Sequence, residues 1–259
     1  MTDAQGYWLP HTSSVDFCEP NYYLTTHIAE PHSVWSSFYM VLLGVIGAIW
    51  ANPLNEWRAL IQHGALCVVG LGSMALHGTL GAIWQSADEV PMLWQNIIAF
   101  YVLAELASPR GMNRSPYLPS ILFSGGVTQT VLYYTMQSFY AAFLTSFVLS
   151  VGVVLAWTHI LATEADVRPE ARALRRRLWA AVVISFLVVA TPLWVFEMNF
   201  CDSLMPYILS TGLGGATLHI IWHIGAGTSS YLGTVLLTVI RIQKLGQRAE
   251  LRFICGMLP

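Results

Sequence analysis

Seven stretches of this chain, near residues 34–50, 61–78, 91–108, 119–137, 140–160, 179–196 and 208–240, are apolar over the length a helix needs to cross a bilayer core of about 30 Å. In lipid the backbone must satisfy its own hydrogen bonds, so such stretches fold as helices. With 55% hydrophobic and 10% charged residues, the chain has too little polar surface to cover a soluble globule of 259 residues. The expected fold class is therefore all-α, an integral membrane bundle of seven transmembrane helices. The last window is longer than one crossing requires, and a tight turn near Ser138 has to separate the fourth from the fifth. No composition break suggests a second domain. The chain divides into an N-terminal segment (1–33), a seven-helix membrane domain (34–240) and a tail (241–259). The N-terminal segment is polar and lacks a basic start, which does not suit a cleavable signal.

Charge gives the orientation. Arg58 follows the first window, Arg110 and Arg114 the third, Arg168, Arg172, Arg175, Arg176 and Arg177 the fifth, and Arg241, Lys244, Arg248 and Arg252 the last. These are all 12 Lys and Arg residues, and all fall on one side of a seven-span chain. The positive-inside rule makes that side cytosolic, leaving the N-terminus outside or luminal. The acids Asp16, Glu19, Glu30, Asp88, Glu89, Glu197 and Asp202 fall on the opposite side with no Lys or Arg beside them. Such a set is solvated, protonated or bound to a metal. A net charge of -2 gives no electrostatic footprint for nucleic acid, and nothing in the sequence nominates an obligate protein partner. Cys18 and Cys201 share the non-cytosolic, oxidising side, where a disulfide between them is expected, two free thiols being the alternative. Cys67 and Cys255 have no evident partner.

His219 and His223 in "TLHIIWHIG" are four residues apart and share one helical face. His77, at the outer end of the second window, lies at a similar depth. Each alone could be a hydrogen-bonded residue of a polar interior, but three converging imidazoles suit a metal, and a histidine within a membrane points to function. Three nitrogen ligands with an open fourth position are the catalytic zinc arrangement; iron is the other candidate. Ser73, one turn before His77, either donates to a developing oxyanion or bonds back to its own helix. Asp88 either orients an imidazole or, as the favoured role, takes the proton from water at the metal. His63 and His159 lie toward the cytosolic ends of their windows, and His11, His27 and His32 in the N-terminal segment. Surface or interfacial roles are expected for these five.

The pieces "DFCEPNYYLTTHIAE", "GSMALHGTLGAIWQSADEVPM", "WVFEMNFC" and "HIIWHIGAG", in this order along nearly the whole chain, resemble the alkaline ceramidases, seven-span intramembrane zinc amidases related to the adiponectin and progestin receptors. The resemblance implies zinc on His77, His219 and His223, with Ser73 and Asp88 completing the active site. It also implies a tyrosine, matched by Tyr140 in "MQSFYA". A calcium site is implied on Asp16, Phe17 through its carbonyl, Glu19, Asn21 and Glu30, and hard oxygen ligands before the first span suit Ca²⁺. The family pairing of Cys18 with Cys201 agrees with the topology. Three departures stand out: Phe17 replaces a usual tryptophan, Pro20 a frequent acid, and Glu197 a usual aspartate.

The implied reaction is hydrolysis of the amide of ceramide or a related lipid amide, drawn from the bilayer, to sphingosine and fatty acid. Calcium would hold the N-terminal segment in place. Topology suits the endoplasmic reticulum or Golgi membrane, and equally the plasma membrane. A receptor with a structural or signalling zinc is the principal alternative. A transporter is disfavoured by the lack of a convincing inverted repeat.

Overall fold

A computed structural model describes residues 6–251 apart from Ser138, Asp166, Thr211, Leu213 and Gly214. The turn expected at Ser138, together with Arg252 and Cys255, lies outside the described residues. Those described form helices and no strand: α1 (Pro31–Trp50), α2 (Trp57–Thr79), α3 (Ala82–Ala104), α4 (Leu118–Thr135), α5 (Tyr140–Thr163), α6 (Pro169–Val183), α7 (Thr191–Ser210) and α8 (His219–Lys244). Between α6 and α7 the chain stays helical through a wider π segment, Ile184–Ala190. Pro192 follows directly. It has no N–H and would clash with the carbonyl four residues back, and the wider turns accommodate it.

Four helical stretches are long and apolar enough to cross a membrane: Pro31–Trp50, Trp57–Thr79, Tyr140–Thr163 and the continuous Pro169–Ser210. The last runs over 42 residues and is kinked where Phe200 leaves helical geometry. It overruns the sixth window at both ends, and Arg172, Arg175, Arg176 and Arg177 sit on the helix rather than in a connection. Helix α3 also begins at Ala82, well before its expected start at 91. Its first turns carry Gln85, Asp88 and Glu89 on an inward face, and a hydropathy window averages that face away. Conversely, the last window's opening residues precede α8, which starts at His219.

Helix α8 is the axis of the bundle. Tyr231, Val235, Leu236, Val239 and Ile240 pack with Met40 and Leu43 of α1, Leu66 and Val69 of α2, Tyr101 and Val102 of α3, and Leu178 of α6. Many large apolar side chains elsewhere face outward, among them Trp35, Ile49, Leu71, Phe123, Leu149 and Val188. Exposure on that scale is what lipid solvates. His63 departs from its expected surface role. It is fully buried, with its ring filling the space that Gly47 leaves on α1. His159 is exposed and packs on Trp179.

Two kinds of contact fix the bundle. Helices α2 and α3 meet almost backbone to backbone, since a Cβ at Gly72 would overlap the carbonyl of Ala87 and crowd the amide of Asp88. At the other end, Arg241 grips Glu56 at 2.8 Å and the carbonyls of Leu106 and Ser108, tying α8 to the loops after α1 and α3. Arg175 and Lys244 both bond Glu164, joining α6 and α8 to the end of α5. The disulfide Cys18–Cys201, with Cα atoms 5.5 Å apart, ties the N-terminal segment to α7.

Gly72→Ala is expected to destabilise the α2–α3 contact by about 1–3 kcal/mol and to lower the melting temperature. Gly64→Ala, where a Cβ meets nothing within 4 Å, should leave it unchanged or slightly higher, and equal melting temperatures for the two variants would contradict this packing. Partial burial raises the pKa of the Glu164 carboxyl, but bonds from Lys244 and Arg175 outweigh this and hold it below its ordinary value. A depressed carboxyl stabilises the fold above its unfolded pKa and loses that contribution as pH falls through the folded one. Thermal stability should therefore drop below about pH 4.5, and by less in Glu164→Gln, as read by scanning unfolding at pH 7 and pH 4.

Candidate metal centre

His77 closes the last turn of α2, while His219 and His223 open α8. Their rings converge, with centroids 5.0 Å apart for His77–His219, 4.9 Å for His77–His223 and 4.5 Å for His219–His223. All three are buried, and one nitrogen from each lies within 4.8 Å of the others, a group that could hold a metal ion. Partners on the far side orient two of the rings. Nδ1 of His77 meets Oε2 of Glu30 at 2.5 Å, and Nδ1 of His223 meets the hydroxyl of Ser36 at 2.7 Å. Metal-ligating histidines typically spend their second nitrogen this way. Nε2 of His77 and Nδ1 of His219 are buried without any partner, and a buried polar atom left so is costly unless something binds it. The donor set fits zinc.

Ser73 is turned inward rather than back onto its own helix. Its oxygen accepts a bond from Ser37 at 3.0 Å, lies 3.4 Å from Nε2 of His223 and faces the Asp88 carboxyl. Asp88 arrives on α3 because the left-handed turn at Leu80 reverses the chain within two residues and Gly72 admits α3 closely. Ser73, Asp88, His219, His223 and Tyr140 all line one cavity of about 190 Å³, whose walls are otherwise largely apolar.

The N-terminal segment lies across this end. Thr12 and Ser13 donate backbone bonds to the carbonyl of Leu80, Ala29 to Gly78, and Glu30 to His77. Glu19 is buried and accepts bonds from the amides of His32 and Ser33 and from the Ser33 hydroxyl, which caps α1. Asn21 donates to Asp16 at 3.3 Å. Of the residues expected to bind calcium, Asp16, Glu19 and the Phe17 backbone lie close enough to Glu30 to act on its carboxyl, and Glu19 places both oxygens on α1. Oδ1 of Asn21 and Oε1 of Glu30 are nevertheless buried without partners. Burial raises the pKa of Glu19, and burial together with Glu19 and Asp16 raises that of Glu30 well above the ordinary value. A hard cation would relieve both strains, so the donor chemistry fits Ca²⁺ as well.

Sequence reasoning missed three contributors. The ring of Phe17, expected to matter only through its carbonyl, packs 4.8 Å from His77 and 4.3 Å from His219. Ser36 carried no signal beyond being polar in an apolar helix. Glu89, beside Asp88, lines the same cavity and is fixed by Gln85, which in turn holds Ser14. Glu197 is buried, with its carboxylate facing Thr217 and the amides of Leu218 and His219 at the start of α8.

A helical membrane protein that buries three converging imidazoles beside a serine and an acid belongs to a class with a buried polar centre that could hold a metal. The particular family follows from comparison: a ceramidase family profile matches residues 9–258, and the chain belongs to the ceramidase family. It is 30% identical to alkaline ceramidase 3 of Mus musculus, covering 99% of this chain and 94% of that one. It is 27% identical to the alkaline ceramidase of Arabidopsis thaliana, over 100% and 96% of the two chains. With alkaline ceramidase YPC1 of Saccharomyces cerevisiae it shares 26% identity over 98% and 84%. The chain is accordingly an enzyme of that family.

Losing Ser36 should loosen the ring of His223 without removing a ligand. Ser36→Ala is expected to weaken metal retention against a chelator about 10–100-fold, and His77→Ala to abolish it, with His63→Ala unchanged. Metal content after graded chelation measures this; retention by Ser36→Ala equal to the parent would exclude an orienting role.

Proposed function

We propose that the protein hydrolyses the amide bond of ceramide within the membrane, using zinc on His77, His219 and His223. The observation that carries this reading is the opening of the histidine cluster, together with Ser73 and Asp88, onto a long apolar cavity. When bound, zinc supplies Lewis acidity that polarises an amide carbonyl and acidifies water. The side chains of this protein do the rest. Asp88 takes the proton from the attacking water and returns it to the departing amine, serving as base and then as acid. Ser73, held by Ser37, donates toward the oxygen on which charge develops. Tyr140 borders the same space and positions the substrate amide.

The seven rods, counting α6, the π segment and α7 as one, together with the one-sided distribution of Lys and Arg, support seven crossings with the N-terminus outside or luminal. The setting is an endoplasmic reticulum or Golgi membrane, or the plasma membrane. Lipid substrate enters sideways. Helix α5 packs on α3 and α6 while α7 packs on α8 and the π segment, so between Tyr140 and Trp194 the cavity wall consists of side chains rather than of helix against helix. Asp16, Glu19, Asn21, Glu30 and the carbonyl of Phe17 would hold calcium, which would fix the N-terminal segment over the centre. The uncompensated acids and the unpartnered Asn21 and Glu30 oxygens support this.

The test is release of sphingosine from ceramide by purified protein in lipid. Asp88→Asn should retain the metal and lose about 10²–10⁴-fold in turnover, whereas His219→Ala should lose both. Metal-loaded wild type that turns over no ceramide would favour a receptor instead. Removal of calcium alone should lower activity while leaving the metal on the histidines.

A further inference from the structure

The cavity continues well past the histidines, along α8 to Gly233, Thr234 and Leu237. Thr234 lies eleven positions beyond His223, about 16 Å at the helical rise. That is close to the depth of one leaflet, about 15 Å or half of the bilayer core, and so suits a hydrocarbon chain of ordinary membrane length. The amide side chains along the way are already engaged, Gln95 with Ser230 at 2.7 Å and Asn96 with Ser150 at 2.9 Å. With these groups bonded to each other, most of the exposed slot wall is apolar.

A second cavity, of about 20 Å³, lies beyond. Its walls are of another chemistry, with Glu56, Arg58, Glu105 and Arg241 bound to one another or to backbone. Gln62, Thr234 and Leu237 line both cavities, and all three are buried. The partition between an apolar slot and a charged chamber is therefore a single layer of side chains.

We propose that Gln62, Thr234 and Leu237 form the floor of an acyl-chain slot and set the longest N-acyl chain the enzyme accepts. This rests on the ceramide-amidase reading and names the part of the substrate that the cavity measures. The slot begins directly below the histidines and suits the half of ceramide that is hydrocarbon right up to its carbonyl. The sphingoid half carries hydroxyls beside the amide and needs polar surroundings there. Within the slot each further methylene leaves water for an apolar wall, worth about fourfold in binding. At the floor the gain stops. A longer chain must either displace close-packed side chains or enter a chamber whose ion pairs it cannot solvate.

The experiment compares kcat/KM on ceramides that share one sphingosine base and differ in acyl group (lauroyl, palmitoyl, stearoyl and lignoceroyl), for the wild type and two variants. Leu237→Ala thins the floor and should raise the lignoceroyl-to-palmitoyl ratio at least about tenfold, some two methylenes' worth. Gly233→Leu adds a side chain to a residue lining the slot, where a Cβ meets nothing within 4 Å, and it should raise the lauroyl-to-stearoyl ratio by a similar factor. A parallel series varying only the sphingoid base should not respond. An active Gly233→Leu protein with the wild-type acyl profile overturns the floor. A response to sphingoid length instead of acyl length does the same. Wild type inactive on every ceramide, with metal bound, would remove the amidase reading itself and this inference with it.

Discussion

The contact between Glu30 and His77 is the one on which the centre depends. An imidazole deep in a bilayer is tolerated only where its nitrogens are used, and Glu30 occupies one of them from outside the helical bundle. Its backbone amide also bonds the carbonyl of His77, so one residue holds both the ring and the chain end that carries it. From Glu30 the chain passes directly into α1, whose first turns are capped by Glu19 and then supply Ser36 to His223 and Ser37 to Ser73. The N-terminal segment is in this sense part of the centre's scaffold rather than an appendage to it.

The division of labour among the helices follows from the same requirement. Helix α5, which faces lipid on most of its circumference, is apolar almost throughout. Those that build the interior, α3 and α8, carry Gln, Asn, Ser, Thr, Asp, Glu and His on inward faces and pair them there. Among the described helices, α3 and α8 thereby fall short of the apolarity expected of a crossing helix. The shortfall is the signature of a polar interior rather than evidence against a bundle.

What was legible in the sequence is what depends on spacing and side. The separation of His219 and His223 by one turn, and the depth of His77, were enough to bring three rings together. The placement of Cys18 and Cys201 on one side was enough to pair them. What depends on how a side chain turns was not legible. Nothing in the spacing shows that Glu30 bonds an imidazole, that the ring of Phe17 covers two of them, or that Glu19 caps α1 with both oxygens. Helix limits failed for a related reason, because averaging over a window hides a polar face and so trimmed α3 by its most important turns. His63 looked peripheral by depth, yet Gly47 leaves a hole for it that no hydropathy pattern records.

The disulfide joins residues 183 positions apart, linking the N-terminal segment to α7, which rests mainly on α8 and the π segment. A chain made from its N-terminus keeps Cys18 waiting through the synthesis of five rods before Cys201 exists to meet it. Only afterwards does α8, which carries two of the three imidazoles, emerge to fill the axis. Assembly therefore closes as a ring, its oldest and youngest parts meeting last, and the reactive centre comes into being at that seam. A chain stalled before α8 lacks His219 and His223, and so carries lipid-facing helices of the enzyme without its three-imidazole cluster.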